Sequence, residues 1–145
     1  PVDISHLEKA LAKAVGESKR RKVYPELFKI NRDEEKTETT IEIIQDCVRK
    51  NLSSPELNRQ LIAEFVHMNP DYISAVFSKK TGESLTCFIL KERLKAAKVM
   101  LATTDYSLQE ISYRTGFSTP SYFQRQFKKS VGITPKKYRM DEKRK

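Results

Sequence analysis

Apolar side chains recur along almost the whole chain at three-and-four spacing, the mark of helices with one buried face. Nowhere do they alternate with the period of two that a half-buried strand needs. Ile4, Leu7, Leu11, Ala14 and Val15 trace an amphipathic helix over residues 3–22, with Asp3 or Ser5 as its cap. It ends in the cluster Ser18–Lys22, read as a solvated helix end, with a nucleic-acid-contacting arm as the alternative. Residues 23–40 mix Val23, Tyr24, Leu27, Phe28 and Ile30 with an acidic run, which predicts a linker with a short helical turn after Pro25. Thr39 or Thr40 is placed to cap a helix over 41–51, striped by Ile41, Ile44, Cys47 and Val48 and closed by a solvated Arg49 and Lys50. Asn58 opens a helix over 59–66, and Asn69 opens another over 70–81. In the latter Ile73, Val76 and Phe77 face inward while Asp71, Ser74, Ala75 and Ser78 face out. Residues 84–103 form one long helix, apolar along Leu85, Phe88, Ile89, Leu94, Ala97 and Leu101. With only four glycines and no strand pattern, the fold class is all-α.

The stretch Ser107–Arg139, SLQEISYRTGFSTPSYFQRQFKKSVGITPKKYR, reads as a short helix, a turn and a longer helix. Ser107 is a good N-cap, and Glu110 three residues on predicts a capping box. Leu108, Ile111 and Ser112 face inward. Gly116 sits where the chain needs a left-handed residue to leave the helix, a conformation only glycine takes cheaply. Thr119 then caps a second helix with Pro120 at its first position, where a missing N–H costs nothing. Phe123 and Phe127 share one face of that helix, with Gln124, Arg125, Lys128 and Lys129 on others. An apolar back with an amide and a guanidinium in front predicts a helix-turn-helix.

The pattern occurs twice. Residues 69–88 laid over 119–138, an offset of fifty, align Asn69 with Thr119, Pro70 with Pro120, Tyr72 with Tyr122 and Phe77 with Phe127. The match runs on through Lys79/Lys129, Gly82/Gly132, Ser84/Thr134 and Phe88/Tyr138. Upstream the offset falls to forty-nine, pairing Asn58 with Ser107, Ile62 with Ile111 and Ala63 with Ser112, so the second turn carries one extra residue. Two copies are too few for a solenoid and indicate two small modules side by side.

The net charge is +9. Residues 1–40 hold nine Lys/Arg against eight Asp/Glu, whereas residues 41–145 hold nineteen against eleven. The basicity therefore sits on the duplicated part and predicts a polyanionic partner. Charge alone does not separate DNA from RNA or an anionic membrane; the doubled helix-turn-helix favours DNA. No apolar run approaches the length of a membrane span, which argues against a membrane partner. Cys47 and Cys87 are read as small apolar core residues in a reducing compartment, with no neighbouring ligands for a metal. His6 and His67 are isolated, and neither a Gly-rich phosphate loop nor a nucleophile elbow occurs, so no enzyme and no cofactor is expected.

The segments YISAVFSKKTGES and RLKAAKVMLATTDYSLQEISYRTGFSTPSYFQRQFKKSVGITPKKYR together closely resemble the DNA-binding domain of AraC/XylS-type transcription regulators. The specific part is GF–S–SYF–R–FKK–G–TP–YR, from Gly116 to Arg139. Ser112 stands where the family usually has a small apolar residue, and Arg59 where it often has leucine. The resemblance covers residues 41–139, with one helix-turn-helix at 58–81, a joining helix at 84–103, a second at 107–130, and a basic tail at 140–145. It implies that the outward early positions of each second helix enter the major groove of double-stranded DNA: Asp71, Ser74 and Ala75 in one module, Ser121, Gln124 and Arg125 in the other. Serine and alanine discriminate weakly, and Asp71 either takes a cytosine amino group or stabilises its helix N-terminus. Gln124 suits adenine; Arg125 suits guanine, or grips a phosphate. Tyr122 is read as packing. Lys79, Lys80, Thr119, Lys128, Lys129, Lys136 and Lys137 are the phosphate candidates, with the backbone after Thr134–Pro135 as an anion site. Arg93, Lys95 and Lys98 on the joining helix are expected to be solvated or phosphate-facing. The resemblance also implies contact with RNA polymerase and a bacterial cytoplasmic location.

PVDISHLEKALAKAV, residues 1–15, resembles the last strand step and final helix of a response-regulator receiver domain. On that reading the chain is the output half of a two-component regulator, its phospho-accepting aspartate lies upstream of Pro1, and the N-terminal region is where two copies would pair. The alternatives are a helical connector from another sensory domain, a constitutive regulator, or a nonspecific architectural binder.

Overall fold

The computed structural model describes the backbone from Pro25 to Lys145 and side chains from Asp33 onward. The helix expected over 3–22, and the receiver resemblance within it, lie outside the described residues. Among those residues there are seven α-helices and no strand. They are α1 (Pro25–Lys50), α2 (Arg59–Val66), α3 (Pro70–Thr81), α4 (Leu85–Thr103), α5 (Leu108–Arg114), α6 (Pro120–Val131) and α7 (Pro135–Lys143).

Six of these helices begin on a side-chain cap. Asn58 accepts from the Leu61 N–H, Asn69 from Asp71 and Tyr72, Ser84 from Cys87, Ser107 from Glu110, Thr119 from Tyr122 and Thr134 from Lys137. Each cap satisfies an N–H that the first turn would otherwise leave without a partner. Proline occupies the start of α3, α6 and α7. The capping box expected at Ser107 forms only by half. The Glu110 carboxylate accepts from Arg114 Nε at 2.7 Å, one turn along, in place of returning to the Ser107 backbone.

α1 corrects the reading of residues 25–40. It is one helix of 26 residues, with no interruption at Thr39 or Thr40. The Thr40 hydroxyl donates to the Lys36 carbonyl at 2.8 Å, and Thr37 does the same to Asp33. Threonine side chains can cap a helix or back-bond within one, and here they do the second. Met140–Lys143, expected as tail, belong to α7, where Lys143 pairs with Asp105.

Residues from Ile43 onward form one unit. Within it α4 serves both modules. Its first half buries Leu85, Phe88 and Ile89, with the Phe88 ring 5.2 Å from that of Phe77 on α3. Ile62 and Ala63 of α2 and Ile73 of α3 are also buried. Arg49 at the end of α1 reaches Glu92 on α4 at 3.5 Å, while it and Lys50 stay exposed, as read. The second half of α4 contributes Leu94, Ala97 and Leu101 to a separate core with Ile111, Phe117, Phe123 and Phe127. Its aromatic rings pack tilted or edge to face in series: Phe117–Phe123 at 5.1 Å, Phe123–Phe127 at 5.8 Å and Phe127–Tyr138 at 5.5 Å. Arg139 then closes α4 from α7, its guanidinium donating to the carbonyls of Leu101 and Thr104. Cys47 is buried as expected, but Cys87 is exposed, because it falls on the open side of α4.

The two turns superpose bond for bond. Met68 N–H donates to Ala63 and His67 N–H to Glu64 in the first; Phe117 donates to Ser112 and Gly116 to Tyr113 in the second. His67 and Gly116 are the left-handed residues, with φ of 56° and 83°. One residue, Met68, separates His67 from its cap Asn69; two, Phe117 and Ser118, separate Gly116 from Thr119. The extra residue of the second copy is thus Ser118. The second turn also demands glycine on a further ground: a Cβ on Gly116 would lie 1.9 Å from the Leu52 carbonyl oxygen.

Substitutions at the two equivalent positions should act in opposite directions. His67→Gly relieves a left-handed non-glycine residue and is expected to stabilise by about 1 kcal/mol. Gly116→Ala adds both strain and a backbone collision, an expected loss of about 3 kcal/mol or more. Urea titration followed by circular dichroism checks both; equal effects at the two sites would contradict the assignment.

Candidate nucleic-acid interface

α3 and α6 are equal in length, at 12 residues each, and equivalent in cap, N-terminal proline and left-handed glycine terminator. Each buries two residues, Ile73 and Phe77 or Phe123 and Phe127, which fixes the opposite face outward. On α3, Asp71 and Ala75 are exposed and Ser74 is half-buried; on α6, Ser121, Gln124 and Arg125 are all exposed. Every candidate reader therefore lies on an accessible part of its helix.

The two faces differ in chemistry. Asp71 accepts from Arg59 Nη1 at 3.1 Å, an ion pair from α3 back to the first residue of α2. Arg59, noted in the sequence only as a departure from leucine, is exposed and does not enter the core. It places a guanidinium beside the first reading face, an addition sequence reasoning missed because a twelve-residue separation carries no helical signal. On α6 the Arg125 guanidinium carbon lies 5.9 Å from the Tyr122 ring centre, at the outer limit of cation–π attraction. Tyr122 in turn packs on Phe117, with ring centres 5.9 Å apart, in keeping with its reading as a packing residue. Gln124 presents a free amide and Arg125 a fork of donors, groups that match the edges of adenine and guanine.

The basic residues fall into two kinds. Lys50, Lys91, Lys137, Lys143 and Lys145 each face a carboxylate within 4.0 Å. Lys79, Lys80, Lys128, Lys129 and Lys136 are exposed and have no ion-pair partner among the described residues. The first four lie in the last turns of α3 and α6, and of these Lys79 and Lys129 stand at positions related by the repeat. The Thr119 hydroxyl oxygen accepts the Tyr122 N–H at 3.1 Å, which leaves its proton to donate outward. Lys137 shares its charge with Asp141 at 3.9 Å.

Arg93 departs from expectation. It is neither solvated nor aimed at a phosphate: its Nη2 donates to the Ser54 carbonyl at 2.7 Å and its Nε to Leu52 at 3.4 Å. Burial pulls its pKa below the ordinary guanidinium value, and the two carbonyls compensate part of the lost hydration.

No helix among the described residues is long and apolar enough to cross a membrane. No group of three or more His, Cys, Asp or Glu among them is placed to hold a metal ion.

A helix-turn-helix domain family matches residues 62–141, more than half of the chain. The chain is 36% identical over 95 residues to the transcriptional regulatory protein YesN of Bacillus subtilis, covering 63% of this chain and 26% of that protein. Among solved structures it is similar to the C-terminal domain of AraT, a response regulator from Geobacillus stearothermophilus. There the identity is 29%, the TM-score 0.68, and the coverage 70% of this chain and 84% of the other. It is also similar to the C-terminal domain of the two-component response regulator yesN from Fusobacterium nucleatum, at 32% identity and a TM-score of 0.64. That match covers 68% of this chain and 95% of the other.

The Arg59–Asp71 pair is a positional feature more than a stabilising one, because its side chains are 52% and 84% exposed. A double-mutant cycle with Arg59→Ala and Asp71→Ala, read by urea titration, is expected to give a coupling below about 1 kcal/mol. A larger value would mean the pair helps hold α2 on α3.

Proposed function

The chain belongs to the AraC-type helix-turn-helix family of DNA-binding transcription regulators, and we propose that it reads double-stranded DNA with α3 and α6 in two successive major grooves. The observation that carries this reading is the duplication itself. Two helices with equivalent caps, glycine terminators and buried positions turn outward residues to matching places, each with two exposed lysines at its end. Arg125 and Gln124 supply most of the base discrimination on this reading, Arg125 to guanine and Gln124 to adenine. Ser121 and Ser74 add permissive hydrogen bonds, and Ala75 a contact to a thymine methyl. Asp71 can take a cytosine amino group only by sharing its carboxylate with Arg59, so the first module selects more weakly. Lys79, Lys80, Lys128, Lys129, Lys136, Lys137 and the Thr119 hydroxyl grip phosphates and set the register.

The same reading makes this chain the output part of a two-component response regulator. Its support is the likeness to AraT and the Fusobacterium yesN protein, together with the wording of residues 1–15. Pairing of two copies through the N-terminal region, contact with RNA polymerase, and a purely binding role without catalysis belong to this proposal. A regulator of the same family with another sensory domain is the second reading; a receiver domain encoded upstream of Pro1 separates the two.

Selection from a random duplex library is expected to enrich two short elements about one helical turn apart. Arg125→Ala should relax one base of one element, a loss of about 1–3 kcal/mol in discrimination. Lys128→Ala and Lys129→Ala should instead weaken all sequences alike and each reduce the salt slope by about 1. Binding that responds to salt but enriches no motif would overturn base reading by this chain and leave a backbone binder.

A further inference from the structure

Three separate pieces of backbone meet around one side chain near the middle of α4. The first is the loop from Asn51 to Asn58, which leads into α2 and hence into the first reading helix. The second is α4 itself, which contributes Arg93 between its two buried stretches, Leu85–Ile89 and Leu94–Leu101. The third is the turn at Gly116, which leads into the second reading helix. The Arg93 guanidinium donates to the Ser54 and Leu52 carbonyls of the loop, and its Nε lies 3.0 Å from where a Cβ on Gly116 would stand. The Leu52 carbonyl oxygen would be 1.9 Å from that same Cβ, so loop and turn touch backbone to backbone. The two modules are therefore joined at two points, the shared helix and this junction. A single helix lets a module rock about its axis; a second point of contact removes that freedom.

We propose that Arg93 is a positioning residue that fixes the separation and relative orientation of α3 and α6, and so sets which spacing between two DNA elements the protein accepts. The proposal rests on the two-groove reading given above. Arginine suits the task because its planar fork can hold two carbonyls at once, where lysine offers a single point charge. The carbonyls it holds belong to the loop, and its stem to α4, so removing it frees the loop without touching any residue on the reading faces.

The test measures affinity by fluorescence anisotropy for the whole chain, wild type and with Arg93→Ala or Arg93→Lys. The duplexes carry the selected two-element site at its natural spacing, with one or two base pairs inserted or removed, or with either element scrambled. One base pair shifts the second element by about 3.4 Å and about a tenth of a turn. Rigid linkage of two weak contacts multiplies affinity by roughly 10²–10⁴, so that shift is expected to weaken the wild type at least about tenfold. In both variants the single-element affinities should stay within about twofold, while affinity at natural spacing falls about tenfold and the spacing penalty shrinks below about threefold. Circular dichroism confirms that the variants are helical; Arg93→Lys, which keeps the stem and the charge, carries the test if Arg93→Ala does not fold. Variants that keep the wild-type spacing profile would overturn this proposal and leave the two-groove reading standing. Single-element affinities that fall as far as the full site would also overturn it, since Arg93 would then act on folding or on DNA directly. A wild type indifferent to spacing would overturn the two-groove reading and this proposal together.

Discussion

Everything in the described unit depends on one helix having to serve two cores. α2 with α3, and α5 with α6, are each a pair of short amphipathic helices, too small to close a core alone. α4 supplies the missing wall to both, with Phe88 against Phe77 at one end and Leu94, Ala97 and Leu101 against Ile111, Phe123 and Phe127 at the other. Its hydrophobic stripe is spent on both modules, which leaves little apolar surface to guide a contact between them. A polar group makes that contact instead, Arg93 on the loop carbonyls, while Arg139 on the last carbonyls of α4 closes the second module. An arginine tolerates such half-buried positions because it keeps its charge and can satisfy several carbonyls from one plane.

The parts of this architecture governed by local rules were legible from the residues. Caps at Asn58, Asn69, Ser107 and Thr119 placed four helix starts, and the two phenylalanines of α6 placed its buried face. The change of offset from fifty to forty-nine placed an insertion that the turn bonds locate at Ser118. The misreadings share a different cause. Threonine at 40 fits a cap by residue type, yet the same hydroxyl bonds equally well to a carbonyl four residues back. Glu110 stands at the right spacing to reach Ser107, but Arg114 one turn on competes for its carboxylate. Residue type points Cys87 inward, although the stripe of α4 already passes through Phe88. In each case the local motif admitted two partners, and the choice was made by geometry that a linear pattern does not carry.

For the candidate interface the balance is similar. Which helix positions point outward follows from which point inward, so the reading faces could be deduced from Phe77 and Phe127 alone. What each outward residue is doing could not. Asp71 and Arg59 find each other across a turn, and Arg93, placed by sequence among solvent-facing cations, is drawn into the junction by carbonyls some forty residues away. Long-range pairings of polar groups leave no period in a sequence, and they decide here which charges remain available to a partner.

That distinction matters for how two weak contacts become one selective one. On the proposed two-groove reading, serine, alanine and an aspartate already engaged by arginine discriminate little, so α3 would not confer much selectivity by itself. If the modules moved independently, α3 would add a local concentration and α6 nearly all of the choice. Held at one separation, as proposed, α3 would reject any site whose second element is out of register, whatever its own preference among bases. Geometry then substitutes for chemistry in the first module. On that proposal the entropy of aligning two readers would be removed during folding, before DNA is met, which is the general advantage of a preorganised binder. On this account the glycine at 116 serves recognition as much as folding: only a residue without a side chain lets the Leu52 carbonyl come close enough to close the joint.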